Sequence, residues 1–221
     1  MAKIGDVSKI LALKFGLSPS LLALFARVLA EGHVREKDRR GPGAGAMGAR
    51  DIANFLIAIL GSWERPKDAV KAVNQIGPLL PPKDKRWRDV FHFLPAPSLS
   101  ALPEDHTFAD ALTALLESLA SGEFESSASE ALQQEEVDLD SYGPNVWIEV
   151  TISGPRPRPE ISISIFTHDD EGVPIGPEAT IAYDYRWPRF VTQDPNVDLR
   201  FRQTFGNATL IALAQLLRGD K

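Results

Sequence analysis

The sequence predicts an α+β protein, a helical N-terminal unit followed by a small antiparallel sheet packed with helices. Apolar residues recur at helical spacing in separate stretches between positions 7 and 120 and change to strict alternation from Val146 onward. The charge also changes sign along the chain. Residues 1–100 carry 16 Lys/Arg against 9 Asp/Glu, a net +7, and residues 101–221 carry 8 against 21, a net −13. These patterns divide the chain into 1–80, a helical unit; 81–120, a connector with an amphipathic helix; 121–143, an acidic linker; and 144–221, a β module closed by a helix.

The elements follow in order. Val7 to Phe15 has a helical apolar face stopped by Gly16. Ser18 and Pro19 supply an N-cap and a first-turn proline for a second helix, in which Leu21, Leu22, Phe25, Val28 and Leu29 recur until Gly32. Residues 35–45 collapse into charges and glycines, which reads as an exposed loop. Helical spacing resumes over Ala49 to Leu60, with Ile52, Phe55, Leu56 and Ile59 inward, and over Lys67 to Ile76. Pro81 to Pro103 mixes prolines, basic residues and aromatics and reads as an ordered connector. Thr107 caps a helix to Ala120 that presents Phe108, Leu112, Leu115, Leu116 and Leu119.

Glu123 to Asp140 holds seven acids and no base, the composition of a solvated linker. Val146, Ile148, Val150 and Ile152 then alternate with polar residues or Trp147, and Ile161, Ile163 and Ile165 alternate with serines. Two half-buried strands flanking a turn at Gly154 to Pro159 are expected. Ala179 to Trp187 and Leu199 to Phe205 suggest further strands, and Ala208 to Leu217 a closing helix.

Several chemistries are not supported. There is no cysteine, which removes disulfides, thiolate nucleophiles and cysteine-ligated metals. The four histidines, at 33, 92, 106 and 168, lack the spacing of a helical metal site. His168-Asp169-Asp170-Glu171 precedes Gly172 and reads as a charged hairpin turn. No Walker loop or dinucleotide fingerprint is present. No catalytic residue, metal site or cofactor is expected. The lysines at 3, 9 and 14 argue against a signal peptide, and the stretch Leu21 to Ala30, interrupted by Arg27, is too short to span a bilayer. A cytoplasmic protein without membrane contact is the expectation.

The order helix, Gly16, Leu17-Ser18-Pro19-Ser20, apolar helix, Gly32-His33-Val34, basic glycine-rich loop, helix resembles the winged helix-turn-helix regulators over about residues 5–60. The resemblance implies that the second helix enters the major groove of double-stranded DNA and that the loop is a β-wing whose basic residues reach phosphates or the minor groove. Those roles would fall on Ser18, Ser20 and Arg27, and on Arg35, Lys37, Arg39 and Arg40. Against this, the second helix offers few polar residues besides Ser20, Arg27 and Glu31, while Leu21 and Leu24 add apolar surface. A core or dimer-seam role for it is the alternative.

Two functions follow. One is a DNA-binding regulator or accessory factor with an acidic C-terminal module for dimerisation or partner binding. The other is a protein-interaction adaptor or structural protein, a homo-oligomer or partner binder using the fold as scaffold. The compact layout suggests phage or mobile-element origin, with no motif behind that suggestion.

Overall fold

The computed structural model of the chain describes residues 2–34, 46–62, 64–81, 97–124, 126–127, 145–154, 157–168, 174–175, 178–182 and 201–219. The architecture is mixed α and β, with helices and two small antiparallel sheets. The order is β1 (Ala2–Lys3), α1 (Ile4–Phe15), α2 (Pro19–Glu31), β2 (Ala46–Met47), α3 (Ala49–Ser62), a 3-10 turn (Pro66–Asp68), α4 (Ala69–Ile76), α5 (Pro97–Ser100) and α6 (Phe108–Ser121). Then come β3 (Asn145–Gly154), β4 (Arg158–His168), β5 (Pro174–Ile175), β6 (Glu178–Ala182), β7 (Phe201–Gly206) and α7 (Asn207–Arg218).

The helical half is built around α3. Its expected inward residues Ile52, Phe55, Leu56 and Ile59 are buried, and burial continues round the helix to Ala53, Ile57, Ala58 and Leu60. A helix apolar on every side is stable only when enclosed, and α4 and α6 pack against it. α6 carries the wide buried stripe its sequence predicts. Its N-terminus is fixed by Thr107, whose hydroxyl accepts from the Asp110 amide at 3.2 Å while the Asp110 carboxylate accepts from the Thr107 amide at 2.8 Å. This reciprocal pair satisfies two amides that helix geometry leaves open.

Asp110 also receives the Thr107 hydroxyl at 2.7 Å and the guanidinium of Arg50, which joins the N-termini of α3 and α6. Partial burial pushes the Asp110 carboxyl up, but the hydrogen bonds from Thr107 and the hydrogen bond and charge of Arg50 outweigh it, leaving it below the usual aspartate value. A lowered carboxyl contributes stability that is fully present above the unfolded value of about 3.9 and is lost as pH falls through the folded value. Asp110→Asn is therefore expected to lower the melting temperature at pH 7, with the gap to the parent narrowing below about pH 4. Thr107→Ala should cost about 1 kcal/mol at neutral pH. Thermal unfolding at pH 7 and pH 3 checks both, and a gap for Asp110→Asn that widens in acid contradicts the assignment.

The larger sheet has the order β5-β4-β3-β7, with β6 also on β4. β3 and β4 form the expected hairpin, with Ile148 opposite Ile163 and Val150 opposite Ile161. Ile148, Val150, Ile152, Ile161 and Ile163 are all buried, and Trp147 lies exposed on the other face. The turn is shorter than the expected Gly154 to Pro159, because Ser153 pairs with Arg158 and Pro159 lies inside β4 opposite Ile152. Pro159 precedes the Glu160–Ala182 pair at which the described part of β6 ends. β6 covers Glu178–Ala182 of the strand expected over 179–187, and residues 183–187 fall outside the described ones.

α7 packs on α1, on α6 and on β3 and β7. The Phe15 and Phe205 rings meet edge to face at 6.3 Å, joining α1 to β7. Arg218, at the end of α7, donates to the carbonyls of Ala120 at 2.9 Å and Leu119 at 3.0 Å, satisfying the C-terminus of α6. The segments expected as separate units thus contribute to one hydrophobic cluster. Within the expected linker, Ser121 closes α6 and Phe124 is buried, while 128–143 fall outside the described residues.

Candidate nucleic-acid interface

α1 ends at Gly16, whose φ of 69° is the left-handed conformation expected of a glycine stop. Leu17 is buried, and Ser18 caps α2, its Oγ accepting from the Leu21 amide at 3.2 Å, with Pro19 in the first turn. The hydroxyls of Ser18 and Ser20 lie 3.1 Å apart. Ser18 is therefore engaged in building the turn, while Ser20 lies exposed beside it.

α2 buries Leu22, Phe25, Ala26 and Leu29 and exposes Ser20, Ala23, Leu24, Arg27 and Glu31. Leu21, expected to add apolar surface, packs partly buried against the core, and Leu24 is 37% exposed. Arg27 stands 3.6 Å from Glu31, both side chains 68% exposed, a pair worth little in solvent. The outer face is thus small and polar around one exposed leucine.

The helix does not end as its glycine suggests. Gly32 has a φ of −77°, and the left-handed residue is His33, at 58°. Gly32 serves close packing instead. A Cβ there would lie 2.4 Å from Cγ2 of Val70 on α4. Val34 donates to the Leu29 carbonyl at 3.0 Å, and its own carbonyl accepts from Asn54 of α3 at 3.1 Å. Beyond residues 35–45, which fall outside the described ones, Ala46 lies opposite Lys3 in the β1–β2 ladder. Both ends of the 35–45 segment are therefore attached to ordered elements.

Of the residues expected to contact DNA, Ser18, Ser20 and Arg27 come together on α2 and its cap. Arg35, Lys37, Arg39 and Arg40 fall outside the described residues. Lys3 is exposed where the chain leaves the loop, a position that no sequence pattern marks. Two-residue strands such as β1 and β2 carry too little pattern to be read.

Among the described residues no group of three or more His, Cys, Asp or Glu side chains could hold a metal ion. His106 is buried, its Nδ1 2.7 Å from the Pro103 carbonyl beside the α6 cap. No helix among the described residues is long and apolar enough to cross a membrane. Comparison with family models, curated proteins and solved structures finds no match for the chain.

Proposed function

We propose that the chain is a DNA-binding regulator or accessory factor of the winged helix-turn-helix kind, with α1, the Gly16-Leu17-Ser18 turn and α2 as its helix-turn-helix. The observation that carries this reading is the outer face of α2. Ser20 and Arg27 lie exposed on it, and the helix leads directly into a segment holding Arg35, Lys37, Arg39 and Arg40. A helix that is apolar on its inner face and small and polar outside can lie against a duplex without burying unpaired groups. Flexible basic side chains beside it would displace counterions from the phosphates. The acidic residues of 144–221 would keep that region off the duplex and leave it for dimerisation or a protein partner.

An adaptor role is favoured by Leu24, exposed at the centre of the same face, and by the engagement of Arg27 with Glu31. The two readings separate in an electrophoretic shift with random-sequence duplex. The parent chain should shift the duplex at low salt, and Arg27→Glu should weaken binding by more than the about eightfold at 0.1 M salt expected of one lost phosphate contact, because it also adds a negative charge. Arg27→Glu binding as tightly as the parent removes α2 from the interface. No shift by the parent leaves the adaptor.

A further inference from the structure

Most of the cations that the structure describes have partners. Lys9 pairs with Asp6, Arg27 with Glu31, Arg50 with Asp110, Arg158 with Glu160 and Arg202 with Glu149, and Arg218 caps α6. Lys3, Lys14, Arg65, Lys67 and Lys71 have none among the described residues. Arg65, Lys67 and Lys71 lie close together along the chain, and all three are exposed.

That stretch is held against the candidate interface. The Pro66–Asp68 segment and α4 both pack on α2, and Val70 meets Gly32 so closely that a side chain at position 32 would have to displace it. Lys67 lies in the 3-10 turn and Lys71 in the first turn of α4, on either side of Val70 along the chain. Arg65 precedes them at the entry to the 3-10 turn. Among the described residues, the carboxylates along the same stretch are Glu64 and Asp68, and α2, which packs on it, carries Glu31. Glu31 is held by Arg27, and neither Glu64 nor Asp68 forms an ion pair with the three cations.

We infer that Arg65, Lys67 and Lys71 form a phosphate-contacting shoulder, a surface that grips the backbone of a nucleic-acid duplex while α2 faces its groove. The inference rests on the DNA-binding reading of α2. Lysine suits this role, being a charge on a flexible four-carbon stem that follows a phosphate without fixed geometry. The surface should contribute affinity and salt dependence alike on every sequence and carry no base preference.

The test measures binding of the full chain to a random-sequence duplex across a salt series, for the parent, for Arg65→Gln/Lys67→Gln/Lys71→Gln and for Arg158→Gln, a paired arginine on the sheet. The triple variant should flatten the slope of log affinity against log salt by about 0.9 for each phosphate no longer neutralised, up to about 2.7. Its unfolding curve should match the parent's, since the three side chains are exposed and stand outside the core. Lys67→Arg/Lys71→Arg should keep the slope, and Arg158→Gln should leave it unchanged. A parent that binds while the triple variant changes the slope by less than about 0.9 overturns this inference and leaves the role of α2 standing. A change of slope for Arg158→Gln of about one third of the triple variant's, the share of charge it removes, also overturns it, since net charge alone would then be responsible. A parent that binds no duplex removes both readings.

Discussion

Ile163→Asp is expected to unfold the β module and, with it, the core it shares with the helices. Ile163 is fully buried, opposite Ile148 on β3 and Ala179 on β6. Removing a buried aliphatic side chain costs about 2–5 kcal/mol, and an unpaired carboxylate in its place adds several more. The total reaches the roughly 5–15 kcal/mol that holds a whole domain together. Because α7 packs on this sheet and on α1 and α6, the damage should not stay local. Far-UV circular dichroism and thermal unfolding should show a collapse of cooperativity. Ser162→Lys, one residue away on the outer face opposite Glu149, should shift stability by less than about 1 kcal/mol. An Ile163→Asp variant that melts with the parent would mean that the inward alternation is misassigned.

Arg39→Ala with Arg40→Ala carries a large expected effect on binding. The two arginines adjoin Gly41-Pro42-Gly43, a composition that argues against a packed role, so the fold should be unaffected. Leaving two phosphates without a cation should flatten the log–log salt slope by about 1.8 and weaken binding at 0.1 M salt about 60-fold. Equal weakening on all duplexes would identify phosphate anchoring, and weakening confined to A·T-rich duplexes would identify minor-groove contact. Binding unchanged by the double substitution takes the loop out of the interface.

Much of the fold is legible because its signals are local. Thr107 and the stripe of Phe108, Leu112 and Leu115 mark α6. Ser18 and Pro19 mark the start of α2. The alternation from Ile161 to Ile163 places the hairpin with its correct face inward. What escapes local pattern depends on partners distant in sequence. The role of Gly32 becomes apparent only beside Val70, and Arg218 as the cap of α6 only once α7 has docked across it. The enclosure of α3 on all sides follows from α4 and α6 arriving on faces that its own sequence leaves ambiguous. Pro159 reads locally as a turn residue, because proline is uncommon within strands and its pairing with Ile152 is set by the ladder with β3.

The candidate site divides along the same line. Ser20 and Arg27 are picked out by the resemblance to winged helix-turn-helix regulators and lie exposed on α2, whereas the hydroxyl of Ser18 is engaged at the cap. In sequence Lys67 and Lys71 belong to the helix read over Lys67 to Ile76, with Arg65 just before it, and nothing marks the three as a surface. Only the packing of α4 on α2 brings it beside the helix, and only the lack of ion pairs among the described residues distinguishes it from the paired cations elsewhere.

The central claim, that this chain binds duplex DNA through phosphate contacts around α2, is tested most directly by the affinity of the unmodified protein for random-sequence duplex from about 50 to 200 mM salt. A straight log–log decline with a slope of several units is the expected result, equivalent to several phosphates neutralised at about 0.9 each. No binding at the lowest salt, or an affinity independent of salt, contradicts it.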